Sequence, residues 1–486
     1  MKECGKTNQI QWKKHVPFLG VLLLLFSAGP FAARQPWFDE VLAMDWLAYP
    51  FLEVPGKYVI PNNHIFYTLC LYVWKEIANL FQAGGIFYLR VLSLLTGCAA
   101  VYLISRRVNR SGGLFGGLPV LILFIGSGPV ILFSTALRGY ILSLLCTFAA
   151  FLYAEKWMKH PRKISFILYF VFCFFALWTI PTNIFSIGAG LLYLAPKIFR
   201  SRREIWKLLF LGLMSLAAFC CAYLPIFKKF LKVASLREGW FSYPAFLQNY
   251  YGTYLLIYFP LLIFFLFGFF VFLRKRNARI PMLCSAAVLL LPLILSHLFQ
   301  VPPFPRVFFP MSGVIALICS DFLTGYIRSV SGFRKKLPLL LSVVWLLVLP
   351  HLSPVFSEQV FGGLHKDDLL YPYPLSVTFV PHKIANRIVQ AYSFENLEHV
   401  FLDFDADPPS IQFQLYQQNM PEDLIVKDRP DLGRVVWLDP RDWIVCRDEA
   451  ALEKIRNRFH LEGEYRLLKE TRDTYQKIYV PSVFFP

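Results

Sequence analysis

The sequence predicts a mainly α protein: a polytopic transmembrane helix bundle of about eleven spans, followed by a small C-terminal α/β domain on the extracytoplasmic side. Three observations carry this. Of 486 residues, 56% are hydrophobic and only 16% are charged, with a mean hydropathy of +0.50; a soluble domain carries about 25% charged residues. Several apolar runs reach the roughly 20 residues that a helix needs to cross a hydrocarbon core. Past residue 354 the long apolar runs stop and short alternating segments take over.

The first apolar run, 16–33 ("VPFLGVLLLLFSAGPFAA"), follows Lys13 and Lys14. It exceeds the roughly 7–15 apolar residues of a signal peptide, and more spans follow it, so it reads as an uncleaved signal anchor. Further spans are expected at 87–105, 114–133, 138–155, 164–180, 183–197, 207–226, 253–273, 280–299, 306–325 and 337–354. The segment 64–82, "HIFYTLCLYVWKEIANLFQ", is also apolar, but Lys75 and Glu76 stand in its middle. A charge pair at the bilayer centre costs a few kcal/mol, whereas the polar face of an interfacial helix accommodates it. An interfacial or re-entrant helix is therefore expected at 64–82.

Positive charge orients the bundle. With the N-terminus cytoplasmic and 64–82 not crossing, the basic clusters at 106–110, 156–163, 197–207, 274–279 and 328–336 all fall inside. Only "KKFLK" (228–232) falls outside. The net charge of +18 is thus a topology signal and excludes a nucleic-acid partner. This topology makes 1–354 the membrane domain, with an outer loop at 34–63, and 355–486 a periplasmic or extracellular domain. In that domain "HVFLDF" (399–404), "RVVWLD" (434–439) and "WIVC" (443–446) read as strands. "HKIANRIVQAY" (382–392) and "DEAALEKIRNRF" (448–459) read as helices, the second with Asp448 as N-cap. At about 130 residues the domain can bury its own core. The sequence has ten cysteines, mostly in apolar runs and without a CxxC pair, so they read as packing residues rather than a disulfide framework.

Polar residues collect on the outer face. Asp39 and Glu40 follow the first span in "PWFDE", and His64 lies in "NNHIF". Arg90, Arg138, Asn183 and Arg306 each interrupt an otherwise apolar stretch at that face. An interfacial arginine can grip phosphate with its planar fork of donors, or merely extend to lipid headgroups. A carboxylate there can accept a proton from an attacking hydroxyl, or be a solvated charge or a helix N-terminus. "DFDAD" (403–407) has a DxD look but sits where aspartate commonly caps a turn. No HExxH, P-loop, GxSxG or GxGxxG motif occurs, and the histidines lack metal-ligand spacing.

"PWFDE" directly after the first span, "NNH" some way after it, "YLRVLSLLTG", "LRGY" and "FPRVFFP" resemble the GT-C superfamily. Within it the chain is most similar, over about residues 10–330, to polyprenyl-phosphate-sugar transferases such as protein O-mannosyltransferases and the aminoarabinose transferase of lipid A. The resemblance implies a GT-C-like fold and an inverting glycosyltransferase. Such an enzyme moves a sugar from a polyprenyl-phosphate donor to a hydroxyl on a lipid, glycan or protein. It implies Asp39 as the catalytic or acceptor-orienting residue, Glu40 and His64 in support, and Arg138, Arg306 and Arg90 on the donor phosphate. The acid that often precedes the arginine–tyrosine pair in these transferases is replaced by Ala136-Leu137, so no cofactor is expected and a divalent metal gains no support. The alternative is a transporter or flippase of lipid-linked sugars, which would show inverted repeats and broken helices; a catalytically inactive scaffold is a third class.

Overall fold

The computed structural model of the protein describes residues 4–57, 64–83, 85–197, 202–235, 279–299, 305–344, 381–395, 397–403, 406–427, 438, 441–461, 464–472, 474 and 476–482. The expected span at 253–273, the boundary at 354 and most of "RVVWLD" lie outside these residues. By its internal contacts the chain divides into two units: residues 1–33 with 46–369, and residues 34–45 with 370–486.

The first unit is helical. Its elements are α1 (Cys4–Ala28), then α3 (Ile65–Leu80), α4 (Ile86–Ile125), α5 (Gly128–Ser134), α6 (Tyr140–Lys159), α7 (Lys163–Thr179), α8 (Asn183–Leu194), α9 (Arg202–Tyr223), α10 (Phe227–Ser235), α11 (Arg279–Phe299) and α12 (Ser312–Ser329); α2 (Phe38–Trp46) falls almost wholly in the second unit. Among the described residues five helices are long and apolar enough to cross a membrane: His15–Ala33, Ile86–Ile125, Tyr140–Lys159, Glu204–Leu231 and Arg306–Ser329. Shorter apolar helices run over Lys163–Thr179, Asn183–Leu194 and Pro281–Leu290. This is the build of a polytopic membrane protein. The segment expected to lie at the interface, α3, is 16 residues long and is not among these helices. It buries Ile65, Tyr67, Thr68, Leu69 and Leu71, while Glu76 is exposed and Lys75 donates to the Leu47 carbonyl at 3.5 Å.

The 40-residue α4 is two helices rather than one. Gly113 has φ +61° and ψ −158°, which no helix contains. A Cβ placed on Gly117 would stand 3.3 Å from the carbonyl oxygen of Val108, nine residues back. In a continuous helix those residues are about 13 Å apart, so the chain doubles back at Gly113. The break falls between the stretches expected as separate passes at 87–105 and 114–133, and the second limb ends at Ile125. α1 packs along α4, α7 lies between α6 and α9, and α12 packs on α4.

Polar ties join the helices. Arg107 on α4 makes a two-pronged pair with Glu155 on α6, both bonds 2.9 Å, and Lys159 joins Glu155 at 3.1 Å. Tyr193 on α8 donates to Asp321 on α12 at 2.5 Å. Asn183 at the start of α8 donates to Ser143 of α6 and to the Ala176 carbonyl, at 2.9 and 2.6 Å. A buried charge is tolerated only when so paired.

The second unit contains a five-stranded sheet. Its strands are β1 (Val400–Leu402), β2 (Ile425–Lys427), β3 (Trp443–Cys446), β4 (Tyr465–Leu467) and β5 (Lys477–Pro481), in the order β2-β1-β3-β5-β4. β1 runs parallel to β2 and β3, and β5 runs antiparallel to β3 and β4. Side chains alternate across the sheet, as period two requires. Val400, Leu402, Val445, Ile478 and Val480 face α13 (Pro381–Phe394) and α14 (Pro408–Gln417), which contribute Ile384, Ile388, Ile411 and Leu415. Phe401, Ile444, Cys446 and Tyr479 face α15 (Glu449–Phe459) through Leu452 and Ile455. Asp448 caps α15 by accepting from the Ala451 amide at 2.9 Å, as its sequence position predicts. α14, β2, β4 and β5 are elements that the sequence reading did not identify.

Candidate functional site

His64 is the residue on which the first unit's polar groups converge. It is the N-cap of α3 and is buried. Its Nδ1 accepts a 2.8 Å hydrogen bond from the amide of Gly139, in the turn that opens α6. Burial first, and then the positive charges of Arg138 and Arg306, hold its pKa well below the ordinary histidine value. The ring is therefore neutral near pH 7, and with Nδ1 used as acceptor its single proton sits on Nε2. The structure thus brings three of the sequence-derived residues together: His64, Arg138 and Arg306.

Rings and glycine set that geometry. His64 meets Tyr140 edge to face at 4.7 Å, Tyr140 stands 4.5 Å from Phe133, and Phe133 stands 4.8 Å from Phe309. This ladder ties α3, α5 and α6 to the turn just after Arg306, which lies in a single helical turn, Pro305–Phe308. The Arg138 guanidinium lies 6.0 Å from the Tyr140 ring centre and is 1% exposed. Gly139 must be glycine: a Cβ there would stand 2.9 Å from Tyr67 Cβ and 3.1 Å from His64 Cβ. Tyr67 and Ser93 brace the preceding turn. Their hydroxyls lie 2.7 Å apart and Ser93 donates to the Ala136 carbonyl at 2.5 Å.

Arg90 makes a backbone contact. It is fully buried and donates to the Ala32 carbonyl at 2.9 Å, at the end of the first span. Asn183, also expected at the outer face, is buried between α6 and α7 by the bonds already described. Tyr67, Ser93 and Gly139 were missed as positioning residues. The signal for Tyr67 was its place three residues after His64, on one helical face.

The acidic pair belongs to the second unit. Asp39 and Glu40 stand in the first turn of α2, where the helix dipole favours negative charge. Asp39 is 2% exposed and Glu40 fully buried, which rules out solvated loop charges. Arg34 reaches Glu40 at 3.3 Å, and its guanidinium lies 4.8 Å from the Trp37 ring centre. Trp37 itself is buried and packs against that guanidinium. Among the described residues no group of three or more His, Cys, Asp or Glu is arranged to hold a metal ion. Within "DFDAD", Asp407 precedes the first turn of α14 with φ +56°, a helix-start position.

No family model matches the sequence, and no curated protein does. The solved structures do. ArnT from Cupriavidus metallidurans in the apo state matches with a TM-score of 0.52 at 13% identity, over 97% of this chain and 98% of that one.

The fold is that of ArnT.

A second ArnT structure from the same organism, bound to undecaprenyl phosphate, matches with a TM-score of 0.50 at 11% identity, over 96% of this chain and 98% of that one. The likeness to ArnT extends well past residues 10–330, the range over which the motifs carry a resemblance, and takes in the C-terminal unit. That likeness is one of fold.

Proposed function

We propose that this chain is a GT-C-type inverting glycosyltransferase that moves a sugar from a polyprenyl-phosphate donor to a hydroxyl acceptor at the outer face of the membrane. The observation that carries the reading is that His64 is held against the turn that bears Arg138, through the Gly139 amide, and is linked by the ring ladder to the turn that follows Arg306. It is supported by the ArnT fold and by the undecaprenyl phosphate bound in an ArnT structure.

The chemistry explains why such a cluster is useful. The donor is a phosphodiester with one negative charge. As the bond from the anomeric carbon to the phosphate oxygen breaks, the leaving polyprenyl phosphate gains a second. Fixed cations therefore bind the transition state better than the ground state, which is the requirement for catalysis. Arg138 and Arg306 take this role, and the Nε2–H of His64 adds a neutral donor. The acceptor oxygen attacks the anomeric carbon from the opposite side, inverting it, and loses its proton to Asp39. Glu40, held by Arg34, supports the turn that carries Asp39. Arg90, one of whose nitrogens is held by the Ala32 carbonyl, is the third cation of the donor-phosphate set. The acceptor is a hydroxyl on a lipid, glycan or protein. The extracytoplasmic side follows from the charge pattern and from the donor, since nucleotide sugars are confined to the cytoplasm.

The test is a transfer assay of the purified chain in lipid nanodiscs with a panel of polyprenyl-phosphate sugars. Release of free polyprenyl phosphate with an inverted product linkage is expected. Translocation of an intact lipid-linked sugar across proteoliposomes, without bond cleavage, would overturn the reading in favour of a flippase.

A further inference from the structure

Residues 34–45 cluster by contact with residues 370–486 and not with the helices on either side of them in sequence. A direct hydrogen bond joins the two parts. Gln414 Nε2 donates to Gln35 Oε1 at 2.8 Å, across 379 residues of sequence. Gln414 is almost fully buried, on α14. The neighbouring residues Ile411 and Leu415 anchor that helix in the core of the sheet. The Gln35 end is equally well defined. Gln35 stands beside Arg34, which grips Glu40 at 3.3 Å and lies over Trp37. The Glu40 and Val41 amides both return to the Trp37 carbonyl, at 2.9 and 3.1 Å. The acidic turn is thus closed on itself and fastened at Gln35 to a core-anchored helix.

We infer that the C-terminal domain serves as the platform that orients the acidic turn, with Gln414 as a positioning residue acting through Gln35. The inference rests on the reading of Asp39 as the proton acceptor. A base contributes only when held in reach of the proton that it takes, and an isolated nine-residue helix such as α2 is marginal in water. A second domain that fixes the turn supplies what the turn's own length cannot.

The experiment is hydrogen–deuterium exchange of the full-length chain in nanodiscs, read over residues 36–46, with turnover measured on the same preparations. Gln414→Leu keeps the bulk and removes the donor. Exchange over 36–46 should rise about tenfold, the loss of one part-buried hydrogen bond, while protection of β1 and β3 stays as in the unaltered chain. Gln35→Leu should do the same from the turn side, and it remains informative if Gln414→Leu disturbs the domain core. The pair Gln35→Glu with Gln414→Lys replaces the bond by a charge-assisted one and should restore both protection and turnover. Unchanged exchange in both single variants overturns the platform. Raised exchange with unchanged turnover overturns the positioning role. Asp39→Asn with full turnover would instead sink the assignment of the base, and the exchange result would still report on the platform.

Discussion

Asp39, the proposed proton acceptor, has 2% of its surface exposed in the first turn of a short helix, so its substitution should be felt in rate. Asp39→Asn is expected to lower turnover by about 10²–10⁴-fold with the fold retained, measured as sugar transfer by purified protein; Glu40→Gln should lower it less. Arg138→Ala removes charge-assisted bonds of roughly 1.5–3 kcal/mol each, so donor use should fall about ten- to a hundredfold. Donor affinity unchanged from the unaltered chain in both Arg138→Ala and Arg306→Ala would leave both as headgroup contacts. His64 gives a pH signature. Its pKa is lowered in the folded chain, while the unfolded chain takes up its proton near the ordinary 6.5. Unfolding therefore binds a proton as pH drops through 6.5, and stability falls with it. His64→Asn keeps an acceptor for the Gly139 amide and does not titrate, so its melting temperature should fall less than that of the unaltered chain between pH 7 and pH 5. The arginines were legible because each stands alone in an apolar stretch. The bond from Gly139 to His64 was not, because it joins residues 75 apart and no local pattern records that pairing.

The helices show the same division. Apolar length revealed the five described helices long enough to cross a membrane, and Lys75 with Glu76 distinguished α3 from them. The reversal inside α4 was legible as basic residues between two apolar runs, although Gly113 was not picked out as its pivot. Its φ and ψ lie in a region open essentially to glycine alone, so Gly113→Ala should destabilise the chain by about 1–3 kcal/mol, read as a lower melting temperature in detergent. Gly139→Ala should cost a similar ~1–3 kcal/mol by overpacking and should also reduce transfer, because the Cβ would push on His64. In the C-terminal unit the N-cap of α15 could be predicted from Asp448 and the apolar spacing after it. Strands of three to five residues such as β2, β4 and β5 escaped notice because such runs carry too little periodicity to separate them from loop.

For the molecule as a whole, fold class and family likeness were readable from composition and five short motifs, since apolar length and charge asymmetry are global properties that no tertiary contact can rewrite. The division of the chain was not, because residues 34–45 read locally as an outer loop of the bundle. Orientation has a direct check. In a chain with the exposed Cys220 and Cys221 changed to serine, Tyr416→Cys places a thiol on an exposed position of α14. A membrane-impermeant maleimide should label it in intact cells. Labelling only after permeabilisation would put the C-terminal unit in the cytoplasm and reverse every loop.

The bond between Gln35 and Gln414 also has a consequence in time. At about 5–20 residues per second of synthesis, the ribosome needs roughly 20–75 s to make the 379 residues that separate them. For that interval the nascent protein already has its first span and, progressively, its arginines, but the turn bearing Asp39 has nothing to fasten to. A chain arrested before residue 408 could hold a lipid phosphate and still be unable to transfer its sugar. Under the proposed function, activity would then appear only with the last sixth of the polypeptide, so that incomplete copies in the membrane compete for the lipid donor without cleaving its sugar–phosphate bond.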